Sequence, residues 1–158
     1  MNESTEEAIV YAKKYLEDLL SFFGLNTDVH ATNDDEVIQL SVPSTHLNGF
    51  LIGQRGENMH SLQYLTSTAL KNNSYANNRV NVDVADYKRQ RADRLRTKAE
   101  SWVKQVKQTK EPMELEPMNA ADRRVIHQLA AEHGLISESA GIGRDRHIVL
   151  SFSEDSLL

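Results

Sequence analysis

Leu51-Ile52-Gly53-Gln54-Arg55-Gly56-Glu57-Asn58-Met59 sets two glycines three residues apart between two stretches of helical spacing. Upstream, Leu47, Phe50 and Leu51 put apolar side chains on the inner face of a short helix that Ser44 can cap after Pro43. Downstream, Met59, Leu62, Leu65 and Ala69 repeat at helical intervals from Glu57 to about Lys71, and Asn72-Asn73-Ser74 end the run. A tight reversal between two helices needs residues without a Cβ. The same lack of side chain lets a sugar-phosphate backbone approach the main chain, and the amides that open the second helix favour an anion. Arg55 adds a cation at the loop tip, suited to a phosphate. Glu57 complements the helix dipole in the first turn and has no catalytic partner.

Toward the N-terminus, Ser4 to Phe23 reads as a helix. Ser4 and Glu7 can form a capping box, Ile9, Ala12, Leu16, Leu19, Leu20 and Phe23 make the stripe, and Gly24 is the stop. Thr27 to Ala31 is a weak strand, Asn33-Asp34-Asp35 a turn signal, and Glu36 to Val42 a strand with Ile38, Leu40 and Val42 on one face. Arg79 to Val84 alternates again through Val80, Val82 and Val84. The order is helix, strand, strand, helix, loop, helix, strand.

Ile52-Gly53-Gln54-Arg55-Gly56-Glu57-Asn58-Met59 matches the apolar-Gly-x-x-Gly-x-x-apolar pattern and resembles the KH family, whose GxxG loop clamps about four nucleotides of a single strand. With a helix and two strands before the loop and a strand after it, the resemblance is to the type II arrangement (αββααβ). It implies RNA contacts at Ile52, Gly53, Gln54, Arg55, Gly56 and Met59, and a base-binding groove beside the loop.

Asp86 to about Gln108 contains no Gly or Pro and reads as one long helix with Leu95, Ala99, Trp102, Val103 and Val106 as its apolar stripe. Glu111-Pro112 and Glu116-Pro117 punctuate the chain. Asn119 caps a last helix ending near His133, and Leu135 to Ser139 with Arg146 to Phe152 form a hairpin around Gly141 and Gly143. Three regions are therefore expected: a KH-like domain over 1–85, a basic linker helix over 86–110 and a small domain over 111–158. In the last helix Arg123 and His127 are four residues apart and share a face, able to hold one phosphate or stack on a base. Arg124 lies about a third of a turn away. Asn119-Ala120-Ala121-Asp122-Arg123-Arg124-Val125-Ile126-His127, Ser137-Glu138-Ser139-Ala140-Gly141 and Arg146 together resemble the R-3-H (Arg-x-x-x-His) domain of single-stranded nucleic-acid binders.

Charge supports the same reading. The chain of 158 residues has a formal net charge of −5, but residues 86–110 carry nine basic and three acidic groups between acidic ends. Beside the two motifs this segment is a credible phosphate-facing surface, with Lys88, Arg89 and Arg91 as its candidate contacts. Hydrophobic residues make up 39% and charged residues 26%, a normal globular mixture. No apolar run is long enough to span a membrane, and Met1 to Ala8 is too polar and acidic for a signal peptide. There is no cysteine, which excludes disulfides and thiolate metal sites and fits a reducing cytosol. His127, His133 and His147 have no carboxylate at a recognised ligand spacing, HExxH is absent, and no Ser/His/Asp set or P-loop is present, so neither a metal, a cofactor nor an enzyme is expected.

A type II KH unit followed by a basic helix and an Arg-x-x-x-His unit is similar to the Jag family, also called KhpB or EloR, of bacterial RNA-binding proteins. Val80-Asn81-Val82-Asp83-Val84-Ala85-Asp86-Tyr87-Lys88-Arg89-Gln90-Arg91 is similar to that family's junction. The resemblance implies an α+β fold: the KH domain, the long basic helix and a small α/β R-3-H domain. It implies a cytoplasmic binder of single-stranded RNA, with single-stranded DNA left open, acting as a post-transcriptional regulator or RNA chaperone. It also implies pairing with the KH-only protein KhpA or with a second copy. The alternative is a KH-mediated interaction scaffold with little RNA affinity. Many family members carry a further N-terminal domain and a long charged linker, neither of which these residues contain. Roles that depend on that extension are not expected of this stretch.

Overall fold

The computed structural model describes residues 3–153. They fall into two compact units that divide between Lys88 and Arg89. The α+β class expected from the sequence is the class observed.

The first unit runs α1 (Glu3–Ser21), β1 (His30–Asp34), β2 (Val37–Val42), α2 (Asn48–Ile52), α3 (Glu57–Asn72) and β3 (Val80–Val84). This is the helix-strand-strand-helix-helix-strand order read from the sequence. α1 buries Ala8, Ala12, Leu16 and Leu20 completely, a four-residue spacing that keeps one stripe on the core. It ends as Gly24 turns left-handed (φ 78°) and the Leu25 amide donates back to the Leu20 carbonyl at 3.1 Å. Helix begins at Glu3, so Ser4 lies inside the first turn rather than at the expected cap.

β1 and β2 are antiparallel, and Asp34 faces Val37. Only Asp35 and Glu36 remain for the turn, both with positive φ (44° and 67°), as a two-residue hairpin requires. The strand and turn therefore sit later than Thr27–Ala31 and Asn33–Asp35. β3 lies parallel to β2 at the far edge of the three-stranded sheet, order β1-β2-β3. Ile38, Leu40 and Val42 on β2 and Val80, Val82 and Val84 on β3 line the core face with Leu51, Met59, Leu62 and Leu70. Each such side chain contributes about 1.5–3 kcal/mol when fully buried. The other face is polar, and Asn81 donates to Gln39 across it at 2.6 Å. Phe50, expected inward, is 53% exposed and meets Phe23 edge-on with ring centres 5.2 Å apart. α2 is a single short turn, too brief to bury both Phe50 and Leu51. Ser44 does not cap it but accepts from the Asn48 side chain.

The second unit takes most of α4 (Tyr87–Thr109), then β4 (Met113–Glu114), α5 (Ala120–Glu132), β5 (Ile136–Ala140) and β6 (His147–Ser151). Ala99, Val103 and Val106 of α4 share a core with Ile126, Leu129 and Ala130 of α5 and Ile148 and Leu150 of β6. The segment expected as a linker helix over 86–110 is thus largely part of this unit, because its apolar stripe is buried there. The sheet is antiparallel with order β4-β6-β5. β4 lies in the stretch read only as punctuation; the Leu115 and Met118 amides prolong its edge by donating to Ile148 and Arg146. Among the described residues no helix is long and apolar enough to cross a membrane.

Candidate functional site

The loop at residues 53–56 is held by its neighbours. Gly53 ends α2 at φ 70°, ψ −175°, a region open essentially to glycine alone. Its amide donates to the Gly49 carbonyl at 3.0 Å. Arg55 and Gly56 are both left-handed (φ 55° and 82°). Gln54 and Arg55 project into solvent, while Gly56 is buried. A Cβ on Gly53 would stand 2.8 Å from Cγ of Asn58, whose amide group donates to the Phe50 carbonyl at 2.6 Å. Asn58 thereby staples the start of α3 to the end of α2. A Cβ on Gly56 would stand 3.3 Å from the Tyr87 ring and 3.6 Å from the end of Met59. Gly56 is the N-cap of α3 and supplies no side-chain cap, leaving the orientation of the first amides to the backbone.

Two residues expected to touch a ligand in this region serve the fold instead. Met59 is 2% exposed and sits in the core, so it supports the loop from beneath. Ile52 is half-buried and packs against the same core.

The basic helix divides similarly. Lys88 turns inward: its ammonium donates to Asn81 Oδ1 and, at 3.3 Å, to Gln63 Oε1. Burial pushes its pKa down, with the Asp83 charge acting the other way. Arg91 forks onto Asp122 through Nε (3.1 Å) and Nη2 (2.6 Å), and Asp122 is 8% exposed. Neither is arranged as a phosphate contact, because a desolvated ammonium and a buried carboxylate both require an internal partner. Arg89 is exposed.

In the second unit, Asn119 caps α5 as expected, accepting from the Asp122 amide at 2.9 Å. One guanidinium nitrogen of Arg123 donates to the Met118 carbonyl at 2.9 Å. His127, one turn on, is bracketed by hydroxyls: Nδ1 lies 2.7 Å from Ser137 Oγ and Nε2 3.1 Å from Ser139 Oγ. A serine hydroxyl can both donate and accept, so the two serines can serve either ring nitrogen as donor or acceptor. Both side chains come from the face of β5 that packs on α5, which fixes the ring plane. Arg124 is exposed. Arg146 is also exposed, and its carbonyl accepts from the Met118 amide at 3.1 Å. Met118 therefore ties Arg123 to Arg146 through its own peptide groups. Among the described residues no group of three or more His, Asp or Glu stands close enough to hold a metal ion.

Comparison with known proteins places an R-3-H domain over residues 93–152. The RNA-binding protein KhpB of Bacillus subtilis is 30% identical over 148 residues, covering 92% of this chain and 71% of that protein. The chain belongs to the KhpB family. The KhpB of Clostridium symbiosum is 37% identical over 109 residues, 68% of this chain and 49% of that protein. The KhpB of Lactiplantibacillus plantarum is 28% identical over 149 residues, 94% and 46% respectively. The chain thus spans about half the length of the Clostridium and Lactiplantibacillus relatives.

For this KhpB-family chain, sequence reasoning missed Asn58, Tyr87, Asp122 and the role of the two serines. The period-two spacing of Ser137 and Ser139 was a usable signal, since alternate strand residues share a face. Asn58 and Tyr87 gave none, because their importance lies in filling the space that a glycine leaves.

Proposed function

We propose that this chain binds single-stranded RNA through the tip of the 53–56 loop and through the Arg123–His127 face, as a cytoplasmic post-transcriptional regulator or RNA chaperone without catalytic activity. The observation that carries this reading is the loop: Gln54 and Arg55 stand out from a left-handed turn at the start of α3, in a chain whose relatives are named RNA-binding proteins. Residues 1–85 act as the KH domain in this account. The loop backbone and Arg55 hold phosphates, and unstacked bases lie in the groove beside them. In the second unit Arg123, Arg124 and Arg146 supply charge, and the clamped His127 ring supplies a flat, hydrogen-bonding surface. Two linked weak grips raise one another's effective concentration, so joint affinity exceeds either alone.

Titration of labelled single-stranded RNA tests the reading. The structure favours Gln54→Asp/Arg55→Asp over changes at Gly53, because aspartate tolerates a left-handed backbone and both side chains are exposed. The expected result is at least a tenfold loss of affinity with intact RNA recovered from every sample. Equal affinity of wild type and variant would remove the loop from the mechanism, and His127-dependent cleavage would overturn the non-enzymatic reading.

A second reading has one observation in its favour. Phe22, Phe23, Phe50 and Leu65 are exposed to 84%, 48%, 53% and 42%, and the last three line a groove of about 240 Å³. Apolar side chains in such a group suit a protein contact, and pairing with KhpA or with a second copy would cover them. Light scattering on the same samples separates the two: a stable oligomer without RNA affinity would favour a scaffold.

A further inference from the structure

Ile142 is 84% exposed at the connection from β5 to β6. A single exposed isoleucine is ordinary, but this one is held out by a built frame. Gly141 and Gly143 flank it with positive φ (77° and 57°). A Cβ on Gly141 would come within 2.7 Å of the Asp145 carbonyl oxygen, so the chain closes tightly on itself there. A 3₁₀ turn over Gly143–Asp145 follows, with the Asp145 amide donating to the Ile142 carbonyl at 3.2 Å. His147 fastens the far side, with Nδ1 2.7 Å from that same Asp145 carbonyl and Nε2 2.8 Å from Glu114. Arg144 and Arg146 are exposed on the same turn. Through the Met118 peptide groups the Arg146 backbone is joined to the Arg123 guanidinium by bonds of 3.1 and 2.9 Å. The strand that leaves the tip is therefore tied through Met118 to the residue that opens the Arg123–His127 face.

We infer that the β5–β6 tip is a further contact for the bound strand, with Ile142 packing on the face of an unpaired base and Arg144 and Arg146 meeting the phosphates on either side. This inference rests on the RNA-binding reading and adds a base-contacting residue to it. Apolar side chains make such contacts in other nucleic-acid complexes by sliding against or between bases, and a single strand offers its base faces without the cost of opening a duplex. The hydrogen-bonded turn sets the backbone beneath Ile142 before the strand arrives, so less backbone entropy is lost on binding. Arg144 and Arg146 against the single carboxylate of Asp145 leave the tip net positive, which favours a polyanion over an apolar protein partner.

The test uses the full chain and 5′-fluorescein-labelled twelve-nucleotide oligo(U) and oligo(A), titrated at several KCl concentrations. Ile142→Ser is expected to weaken binding roughly 3- to 10-fold with an unchanged log–log salt slope, because losing an apolar contact alters no counterion release. Arg144→Gln/Arg146→Gln is expected to lower the slope by about 1.4, close to 0.7 for each single-strand phosphate contact. In protein carrying carbon-13-labelled isoleucine methyl groups, the Ile142 signal is expected to move during the titration. Unchanged Trp102 emission confirms that each variant is folded. If Ile142→Ser binds as wild type does while Arg123→Gln binds more weakly, the tip contact is refuted and the Arg123–His127 site stands. If wild type binds neither oligonucleotide, the RNA-binding reading fails and the tip contact falls with it.

Discussion

The 53–56 loop and the Arg123–His127 face present cations in opposite ways. At the loop, backbone geometry does the work: two glycines, a left-handed Arg55 and the Asn58 staple set the path, and the side chains that project are otherwise uncommitted to the fold's core. On α5, side-chain hydrogen bonds do the work: Arg123 is moored to Met118, His127 to two serines, and the first turn of the helix to Arg91 through Asp122. A surface of the first kind loses function when its tip is changed and loses stability when its glycines are changed. A surface of the second kind couples the two, because the groups that position the projecting side chains also hold the unit together.

The largest expected effect that would break this contrast is at Asp122. Asp122→Ala leaves the Arg91 guanidinium without its carboxylate, and the side chain of Arg91 is only 29% exposed. We expect the second unit to lose about 2–4 kcal/mol, toward the lower side of values for fully buried pairs because Arg91 reaches water. Trp102 is the only tryptophan and packs in this unit, whereas all five tyrosines belong to the first. Urea unfolding followed by tryptophan emission reads one unit, and tyrosine signals read the other. The compensating double change Arg91→Met/Asp122→Leu should recover most of the loss, since apolar groups in place of the pair carry no desolvated charge. An unaltered tryptophan midpoint in Asp122→Ala would mean that the α5 face does not depend on its mooring.

A smaller effect sharpens the loop side. Gly53→Ala forces a Cβ against Asn58 and a side chain into a backbone region nearly closed to it; about 1–3 kcal/mol is expected. Asn58→Ala removes one 2.6 Å hydrogen bond and should cost about 1 kcal/mol. Combined, the two should cost less than their sum, because the second change removes the group that the first collides with. Costs that add to within about 0.3 kcal/mol would show that Asn58 does not set the loop, leaving backbone strain as the whole reason for the glycine.

What was legible in the sequence follows the same division. Helical stripes and alternating strands fixed the element order of the first unit, because Leu16, Leu20, Ile38, Leu40, Val82 and Val84 are apolar at the period their structure needs. The tryptophan-bearing stripe of α4 was equally visible, but what it packs against was not, so a core helix read as a linker. β4 escaped because two residues have no periodicity. For the candidate site, residue types and spacing mark cations and glycines alike, yet spacing alone could not separate a surface cation from one with an internal partner. Lys88 and Arg91 look like their neighbours in sequence, and only the positions of Asn81, Gln63 and Asp122 turn them inward. Long-range partners of that kind leave no local mark.

The smallest effect tests whether side-chain mooring in the second unit extends to the hairpin tip. His147 has its pKa raised above the ordinary 6.5, first by its bond to the Asp145 carbonyl, then by the hydrogen bond and charge of Glu114. The folded state therefore binds the proton more tightly than the unfolded chain. Its stabilising contribution is complete below pH 6.5 and fades as pH rises through the raised value. Wild-type protein should accordingly lose a little tryptophan-monitored stability on going from mildly acidic to mildly alkaline solution, and His147→Gln should lose less over the same interval. Glu114→Gln should bring His147 back toward its ordinary value and narrow the interval, while leaving the Asp145 bond in place. The difference between variants matters more than the wild-type profile, since the other five histidines of the chain are common to both. Parallel wild-type and His147→Gln profiles would mean that the tip is held by its backbone and not by the charge on His147, which would place it with the 53–56 loop rather than with the α5 face.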